Sequence, residues 1–319
     1  MNVALAYNLN RNNEEFEADF DTQDIIDRLL RAIGRRHRVE PLECDRNVES
    51  WAAKLRKIDP DLVFNVTEGY RGLGREAFGP IVFEQLGYSY TGPKTKDLVV
   101  CQDKAFVKRS MSLLGVPTPR HAVLTPGSPL ILPPDLACPL FVKLNGEGSS
   151  LGVDARSKAS TPAAALEKAE SLLARHGSPV LVEEFFEGVD LSVNYVEGIG
   201  FPDPMQYRYP DGKEFYDYDL KIHDYQEIGL VRPRIPADTL ARIFADCRKI
   251  VEFLGISRYC RIEVRWNEST GKYVFIEVNG QVCFLENGSF VESMLPRFGF
   301  DDFIDHIIGL ENVPVRSRA

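Results

Sequence analysis

Short apolar runs alternate with amphipathic segments along the first ninety residues. Residues 3–7 are continuously apolar and predict a buried strand. Apolar residues at positions 25, 26, 29, 30 and 33 recur at helical spacing, with Asp21 as the predicted N-cap. Further strands are predicted at residues 38–42 and 62–66, and further helices at residues 51–58 and 76–86. This order predicts parallel strands joined by right-handed crossovers.

Beyond residue 90 the strict alternation gives way to a mixed order. A turn-forming Tyr-Thr-Gly-Pro sequence at residues 90–93 marks a candidate boundary. We predict helices at residues 97–114, 161–176 and 237–254, strands at residues 139–143 and 179–183, and a hairpin at residues 261–279. The predicted fold class is therefore α/β followed by α+β, in three lobes at residues 1–95, 96–186 and 187–319.

Composition argues against several classes of function. The chain has 319 residues and a formal net charge of −9, whereas binding to a nucleic-acid backbone requires clustered Lys and Arg. No apolar run approaches the ~20 residues that span a bilayer, and the N-terminus lacks the pattern of a signal peptide. The six cysteines form no C-x-x-C pair, which favours reduced thiols. We expect a cytoplasmic protein that binds neither nucleic acid nor membrane.

The last predicted hairpin carries charged residues on one face. A turn centred near Thr270 would place Glu263 opposite Glu277, and the two-residue period of a strand would put Arg261 and Asn279 on the same face. Two facing carboxylates repel each other, and with an amide oxygen they form the hard oxygen set that Mg²⁺ prefers. The alternative is a solvated face on which Arg261 is the counter-ion.

A glycine- and serine-rich loop follows the predicted strand that contains Lys143. The loop reads LNGEGSSLG at residues 144–152, and its candidate phosphate-binding groups are Gly148, Ser149 and Ser150. Glycines let backbone N–H groups approach phosphate closely, serine hydroxyls add donors, and a lysine supplies a point charge. The loop lacks the G-K-[ST] ending of a Walker A motif. The alternative is an ordinary surface loop.

The next strand runs into an acidic and aromatic linker. Glu183, Glu184, Phe185 and Phe186 could bind adenine, because carboxylate and carbonyl oxygens accept from the exocyclic amine and aromatic rings bury the base. Asp190 could accept from the ribose hydroxyls. The alternative is an amphipathic connector.

Two further segments concentrate charged and aromatic side chains. Residues 214–221 read EFYDYDLK, which we interpret as a structured loop over a site; the alternative is a surface strand with core tyrosines. The loop after residue 66 offers Glu68 for an ammonium group and Arg71 or Arg75 for a carboxylate. The alternative there is a solvated turn.

The order and spacing of these segments resemble the ATP-grasp superfamily, and within it the D-alanine–D-alanine ligases, from about residue 61 to about residue 279. The resemblance implies a three-lobed ATP-grasp fold with ATP between the central and C-terminal lobes. It implies two phosphate-binding lysines at Lys104 and Lys143, a phosphate loop at residues 148–152, an adenine linker at residues 183–186 and a ribose-binding acid at Asp190.

The resemblance also implies the catalytic groups. Residues 215–221 are similar to the family's F-Y-D-Y-x-x-K segment, whose lysine, here Lys221, contacts phosphate. Arg261 resembles the arginine that stabilises the transferring phosphate and the oxyanion. The implied metal ligands are Glu263 in place of the usual aspartate, Glu277 and Asn279, for one or two Mg²⁺ ions or for Mn²⁺. Further candidates are Ser149 and Gly280 for catalysis, and Tyr216 and Ser289 for substrate binding.

The chain departs from the family pattern after Asn279. The usual Pro-Gly turn is replaced by GQVCFLENGS at residues 280–289, which leaves the Gly280 N–H as a candidate donor to the oxyanion and Ser289 as a candidate contact for a carboxylate. We expect Gln281, Phe284, Glu286 and Asn287 to add bulk and polarity to the substrate pocket. Ile222 also replaces a tyrosine that often follows the phosphate-binding lysine. These changes predict a substrate other than D-alanine.

The resemblance implies an enzyme that forms an amide. ATP would phosphorylate a carboxylate, an amine would attack the acyl phosphate, and ADP and phosphate would be released. Both substrates are expected to be small and amino-acid-like, and the family's frequent dimers imply a homodimer. Three alternatives stay open: a genuine D-alanine–D-alanine ligase, a kinase on the same scaffold, and a nucleotide-gated binding protein without turnover. The intact set of lysines, arginine and carboxylates argues against the last.

Overall fold

The N-terminal lobe is a three-stranded parallel sheet with helices packed against it. The structure, a computed structural model, describes residues 1–12, 14–222 and 225–311. The strand order is β2-β1-β3, which confirms the predicted parallel arrangement. The elements are β1 (Asn2–Tyr7), α1 (Gln23–Gly34), β2 (Arg38–Glu43), α2 (Val48–Ile58), β3 (Leu62–Val66) and α3 (Arg75–Gln85).

Helix α1 does not begin where the sequence predicts. Its N-cap is Thr22, which has extended backbone angles, and not Asp21. The side chain of Asp21 is buried, and its Oδ1 lies 3.8 Å from the Cys283 Sγ. The predicted cap is wrong because the Asp21 carboxylate faces the C-terminal part of the chain and not the first turn of α1.

The central lobe begins with two helices where the pattern predicts one. Helix α4 (Thr95–Gln102) ends at Asp103, and α5 (Lys104–Leu113) begins immediately after it. Asp103 has an extended backbone, and its carboxylate accepts a hydrogen bond from the Phe106 N–H at 3.0 Å, which caps α5. A continuous helix at residues 97–114 is therefore wrong, and the break makes Lys104 the first residue of α5.

An antiparallel sheet completes the central lobe. Its strand order is β4-β7-β5-β6, and α6 packs on β5 and β7. The elements are β4 (His121–Leu124), β5 (Leu140–Leu144), β6 (Lys158–Ala159), α6 (Pro162–His176) and β7 (Val180–Glu184). Lys143 on β5 and Glu183 on β7 are therefore on neighbouring strands.

Among the described residues, no helix is long and apolar enough to cross a membrane.

The C-terminal lobe is a five-stranded antiparallel sheet of order β10-β9-β8-β11-β12. The elements are β8 (Val189–Val196), β9 (Met205–Arg208), α7 (Tyr218–Ile222), β10 (Gly229–Val231), α8 (Ala237–Leu254), β11 (Tyr259–Trp266), β12 (Tyr273–Asn279), α9 (Ser289–Glu292) and α10 (Phe300–Gly309).

The end of the described chain returns to the N-terminal lobe. Phe284, Phe290 and Phe303 share one hydrophobic core with residues of β1, β3 and α1. The phenylalanine rings contact one another, and Phe284 also packs edge-on against Phe64 of β3. Phe284 therefore faces this core and does not add bulk to a substrate pocket, which corrects the expectation from the sequence. The lobe boundaries at residues 95 and 186 stay a prediction.

Candidate active site

The hairpin of β11 and β12 has the predicted register. Glu263 pairs with Glu277 and Arg261 pairs with Asn279, with a bulge after Glu263. The Arg261 Nε donates a hydrogen bond to the Glu263 Oε1 at 2.6 Å. The two facing glutamates differ in pKa. Burial, reinforced by Glu277, raises the pKa of Glu263 to about 7 even though Arg261 opposes the shift.

Glu277 has the opposite shift because lysines from the central lobe reach it. Burial alone would raise its pKa, but Lys104 and Lys143 lower it to about 2. The Lys143 Nζ lies 3.3 Å from the Glu277 Oε2, and the Lys104 Nζ lies 3.8 Å from the same oxygen. The Lys104 Nζ also donates to the Glu147 carbonyl at 2.7 Å. The two predicted phosphate-binding lysines and the hairpin therefore meet in one cleft.

The hairpin residues fit a divalent cation by their chemistry. Two carboxylates face each other, and Asn279, which follows Glu277 by two residues on β12 and pairs with Arg261, adds an amide oxygen. Together they offer the oxygen donors that suit Mg²⁺. Among the described residues, no group of three or more His, Cys, Asp or Glu side chains could hold a metal ion; the predicted set has only two such side chains, with an amide as the third group.

The glycine- and serine-rich loop has an unusual backbone. Ser149 and Ser150 both adopt positive φ angles, 49° and 53°, in the left-handed region that non-glycine residues rarely occupy. The Ser149 hydroxyl donates to the Ala18 carbonyl at 2.9 Å and also bonds to the Asp19 carboxylate. The Ser150 hydroxyl donates to the Tyr216 carbonyl at 2.8 Å. The loop is thus fastened to the N-terminal lobe and to the segment before α7, and strain of this kind is concentrated at functional sites.

The linker after β7 turns its side chains in different directions. Glu183 is buried between the Lys143 and Lys108 ammonium groups, at 3.1 and 2.6 Å. Glu184 instead accepts a hydrogen bond from the Ala137 N–H at 2.8 Å. The Phe185 N–H donates to the Pro139 carbonyl, just before β5, at 2.8 Å. Only Glu183 of the two glutamates therefore points toward the lysines of the cleft.

Aromatic side chains line the outer end of this cleft. Phe185 packs against Phe141 and Phe215, and Arg265 stacks over its ring at 4.5 Å. Phe186 is half-buried. Asp190 accepts from the Tyr209 hydroxyl at 2.7 Å and lies 3.3 Å from the Arg265 Nε. Burial raises the pKa of Asp190, although Arg265 and the tyrosine hydrogen bond oppose it. A cavity of about 330 Å³ opens beside it, lined by Glu187, Gly188 and Val189 after the linker, by residues 206–209 and by Lys213, Glu214 and Arg265.

The predicted FYDY segment precedes a short helix. Lys221 lies in α7, and its Nζ is 3.9 Å from the Asp19 Oδ1. Burial lowers the pKa of Lys221. Tyr216 is half-buried beside Tyr207 and Tyr209. The side chain of Ile222 lies outside the residues that the structure describes, so its predicted role is not addressed.

Of the residues after Asn279, three are tightly packed or buried, and a fourth, Glu286, forms an ion pair with α1. Gly280 packs tightly, since an added Cβ would lie 3.1 Å from Leu98. The Gln281 side chain is buried, and neither of its amide atoms has a hydrogen-bond partner in the part of the chain that the structure describes. Ser289 is also buried, and its hydroxyl lies 2.8 Å from that of Tyr207. Glu286 forms an ion pair with Arg28 at 2.9 Å and is thus held at the surface of α1, away from the hairpin.

The candidate residues of the N-terminal lobe form one ionic cluster. Arg75 is 5% exposed, and its guanidinium lies 2.7 Å from Asp19, 3.4 Å from Glu68, 3.5 Å from Glu76 and 3.6 Å from Glu147. Four carboxylates therefore surround a single guanidinium group. Burial and Glu76 raise the pKa of Glu68 well above its ordinary value. Burial raises the pKa of Glu76 to about 7. Arg71 is exposed at the loop tip.

Sequence reasoning missed Asp19, Lys108 and Glu147. Lys108 lies four residues after Lys104 and therefore on the same face of α5, which was a usable signal. Glu147 belongs to the loop that was singled out for its glycines. Asp19 gave no signal, because its contacts with Ser149 and Arg75 join distant parts of the chain through loops.

Comparisons with known sequences agree on one family. A family model described as "D-ala D-ala ligase C-terminus" matches residues 131–308. The D-alanine–D-alanine ligase of Glaesserella parasuis is 30% identical over 262 residues, which cover 81% of this chain and 82% of that protein. The D-alanine–D-alanine ligase of Aquifex aeolicus is 30% identical over 269 residues, which cover 84% and 86%.

Solved structures share the architecture. A D-alanine–D-alanine ligase from Bacillus anthracis, complexed with ATP, superposes with a TM-score of 0.77 at 17% identity over 98% of this chain and 97% of that chain. The D-Ala:D-Ser ligase VanG from Enterococcus faecalis superposes with a TM-score of 0.69 at 21% identity, over 97% and 99%. At these identities the likeness shows the fold, and it confirms the predicted ATP-grasp architecture.

Proposed function

We propose that this chain, which belongs to the D-alanine–D-alanine ligase family and is an ATP-dependent amide-forming ligase, condenses an amino-acid-like carboxylate with an amine through an acyl phosphate. One observation carries the proposal. Lysines of the central lobe face carboxylates of the C-terminal hairpin, with the Lys143 Nζ 3.3 Å from the Glu277 Oε2. A cleft with cations on one wall and carboxylates on the other suits a polyphosphate and its divalent counter-ion.

The proposed metal ligands are Glu263, Glu277 and Asn279, for Mg²⁺ or alternatively Mn²⁺. The raised pKa of Glu263 supports this, because two facing glutamates gain from a shared cation. An ion bound there would neutralise part of the phosphate charge.

Other side chains of the cleft bind the phosphates and stabilise the charge that develops during the reaction. Lys104 and Lys143 hold the phosphates of ATP while a carboxylate oxygen of the first substrate attacks the γ-phosphorus and ADP leaves. Lys221 and Arg261 stabilise the negative charge on the transferring group. The amine nitrogen of the second substrate then attacks the acyl carbon, phosphate leaves, and the amine loses a proton as the amide forms. Gly280 stays a candidate donor to the oxyanion.

Water must be kept from an acyl phosphate, and the glycine- and serine-rich loop is placed for that role. Its Ser149 and Ser150 hydroxyls fasten it to the Asp19 loop and to the backbone at Tyr216. These contacts support a cover that closes over the reacting groups after the substrates bind.

The acidic N-terminal end of the cleft supports a substrate that carries an ammonium group. Asp21 is a buried carboxylate whose Oδ1 lies 3.8 Å from the Cys283 thiol, and it adds a smaller contribution to the raised pKa of Glu68, which is caused mainly by burial and by Glu76. We assign the ammonium group to Asp21 and Glu68. The Arg75 guanidinium is surrounded by carboxylates and therefore orients them, which leaves Arg71 as the candidate for a substrate carboxylate.

A genuine D-alanine–D-alanine ligase is the second candidate, favoured by the names of the relatives. The altered segment after Asn279 weighs against it, although less than the sequence suggested, because Phe284 lies in the core and Glu286 pairs with Arg28. Gln281 and Cys283 are the changes that still bear on the pocket. We therefore propose a substrate pair other than two D-alanines.

One assay separates these functions. The protein is incubated with ATP, Mg²⁺ and a pool of amino acids, ADP and free phosphate are quantified, and condensation products are identified by mass spectrometry. A ligase releases ADP and phosphate together with a new amide. Release of ADP without phosphate would indicate a kinase, and release of neither would contradict the proposal. A kcat/KM of about 10⁴ M⁻¹s⁻¹ or more with D-alanine alone would instead establish the second candidate.

A further inference from the structure

Lys108 is a fully buried lysine of α5 to which the reaction described above gives no role. Its side chain is 0% exposed, and its Nζ lies 2.6 Å from the Glu183 Oε2. It is one helical turn from Lys104, so both ammonium groups leave α5 on the same side. A lysine is rarely buried completely unless an ion pair compensates it. The position of Lys108 therefore depends on Glu183.

Glu183 is held from two sides. Its Oε2 faces Lys108 and its Oε1 faces Lys143 at 3.1 Å. Burial alone would raise the pKa of Glu183, but the two lysines lower it below its ordinary value. The carboxylate is therefore kept ionised, and each of its oxygens keeps a further lone pair for another donor.

A second contact fixes Lys108 relative to the metal-binding hairpin. The Lys108 Nζ donates to the Thr118 hydroxyl at 3.2 Å, and that hydroxyl donates to the Phe275 carbonyl at 2.9 Å. Phe275 lies two residues before Glu277 on β12. Lys108 thus connects the strand that carries a candidate metal ligand with the linker at the end of β7.

We propose that Lys108 is a positioning residue that sets the preference of the enzyme for an amino-purine nucleotide. It acts through Glu183, by holding that carboxylate charged and turned toward Lys143. A carboxylate in this state accepts a hydrogen bond from the 6-amino group of adenine and repels the 6-oxo group of hypoxanthine. The inference rests on the proposed role of the linker in binding the base.

The expected consequence is a loss of base selectivity when Lys108 is removed. In Lys108→Met the side chain keeps its length but loses its charge, so Glu183 loses the cation on its Oε2 side. It is then free to take up a proton or to rotate, and both changes remove the repulsion of a 6-oxo group. We expect KM for ATP to rise roughly tenfold or more, with a smaller change in kcat. We also expect the ratio of kcat/KM for ATP to that for ITP to fall by a similar factor.

The experiment compares wild type, Lys108→Met, Glu183→Gln and the double variant by steady-state ADP release with ATP and with ITP. If Lys108 acts through Glu183, the double variant is no worse than Glu183→Gln. Lys168→Met is the matched control, because Lys168 is also buried but pairs with Asp154 at 2.9 Å outside the cleft. The control should keep the KM for ATP and the ATP preference of the wild type, whatever its loss of stability.

Four outcomes are decisive. Unchanged KM and selectivity in Lys108→Met, or effects of the two single variants that multiply in the double variant, overturn the inference. If Lys108→Met does not fold, the charge-balanced double variant replaces it, and a KM above that of Glu183→Gln overturns the inference. An active Glu183→Gln variant with the wild-type KM for ATP and the wild-type preference for ATP over ITP would instead show that the linker does not recognise the base. In that case the proposed role of the linker fails, while the ligase activity stands.

Discussion

Environment, more than residue type, decides what each charged side chain of the cleft can do. Glu263 and Glu277 face each other in the same hairpin, yet their pKa values are about 7 and about 2. The difference arises because Glu277 is within reach of Lys104 and Lys143, whereas the ion pair of Glu263 among the described residues is with Arg261. The sequence predicted the pair correctly, but it could not show which partner carries the charge.

The two glutamates should therefore respond differently to the same substitution. We expect Glu277→Gln and Glu263→Gln each to lower Mg²⁺-dependent turnover by orders of magnitude. Without metal, Glu277→Gln should lower the thermal midpoint, because two buried lysines lose a counter-charge. Glu263→Gln should lower it less, because relief of the repulsion between the two glutamates offsets the loss of the ion pair with Arg261. Equal shifts of the midpoint in the two variants would contradict this account.

Asp21 predicts a dependence of stability on pH. Burial raises its pKa from 3.8 to about 7. The folded protein then keeps a proton that the unfolded chain has already released, so this residue makes the free energy of unfolding fall as pH rises from about 4 to about 7. Asp21→Asn should remove that decline and raise stability at pH 8 by up to roughly 4 kcal/mol.

The same variant should raise KM for the ammonium-bearing substrate, since the proposed contact is lost. Urea unfolding between pH 4 and pH 8 measures the stability effect, with the exposed Asp24→Asn in α1 as the control. A stability difference between wild type and Asp21→Asn that does not change across this range would show that Asp21 is not the buried group described here.

At the scale of elements, local patterns predicted strands and helices well and their junctions less well. The alternation in β11 and β12 was enough to give the register of the hairpin, because a two-residue period allows only one face to be polar. The apolar pattern across residues 97–114 could not reveal the break at Asp103, where a side-chain cap outweighs continuity of the helix. Contacts such as Ser149 with Asp19 join loops without any periodicity, so no pattern in the sequence could predict them.

Gly148 shows how closely the glycine- and serine-rich loop approaches the N-terminal lobe. A Cβ at this position would lie 2.6 Å from the Asp19 Oδ2 and 3.0 Å from the Arg75 Nη2. Gly148→Ala should therefore displace the loop from its contact with Asp19 and Arg75 and lower kcat by roughly 10- to 100-fold. The control is Gly34→Ala at the end of α1, where an added Cβ would make only an ordinary contact of 3.7 Å. A wild-type kcat in Gly148→Ala would mean that this close contact of the loop with the N-terminal lobe is not needed for turnover.

At the scale of the whole molecule, the cleft is assembled from all three predicted lobes. The hairpin supplies carboxylates, the central sheet and α5 supply lysines, and the N-terminal loops supply the acidic cluster around Arg75. The β-α pattern predicted the first sheet. It did not predict that the chain after β12 would return to pack on that sheet, because an apolar run does not specify its distant partner.

That returning segment should contribute strongly to stability. Phe284 is 1% exposed and packs among Phe64, Tyr259 and Phe290. Phe284→Ala should lower the free energy of unfolding by about 3–5 kcal/mol, measured by urea denaturation. Phe253→Ala is the control, because that ring is 53% exposed and its loss should change stability by about 0.5 kcal/mol or less. Similar losses in the two variants would contradict the position of Phe284 in this core.

The shared core also constrains the order in which the protein can fold during its synthesis. The first sheet lies at residues 2–66, but some of the side chains that cover one of its faces lie at residues 282–308 and are translated roughly 200 residues later. Domains generally fold as units, with the N-terminal one first, yet this lobe cannot complete its core until those later residues are available. Until then its apolar face is open to chaperones, and a nascent chain stalled before residue 282 should remain sensitive to protease in its first hundred residues.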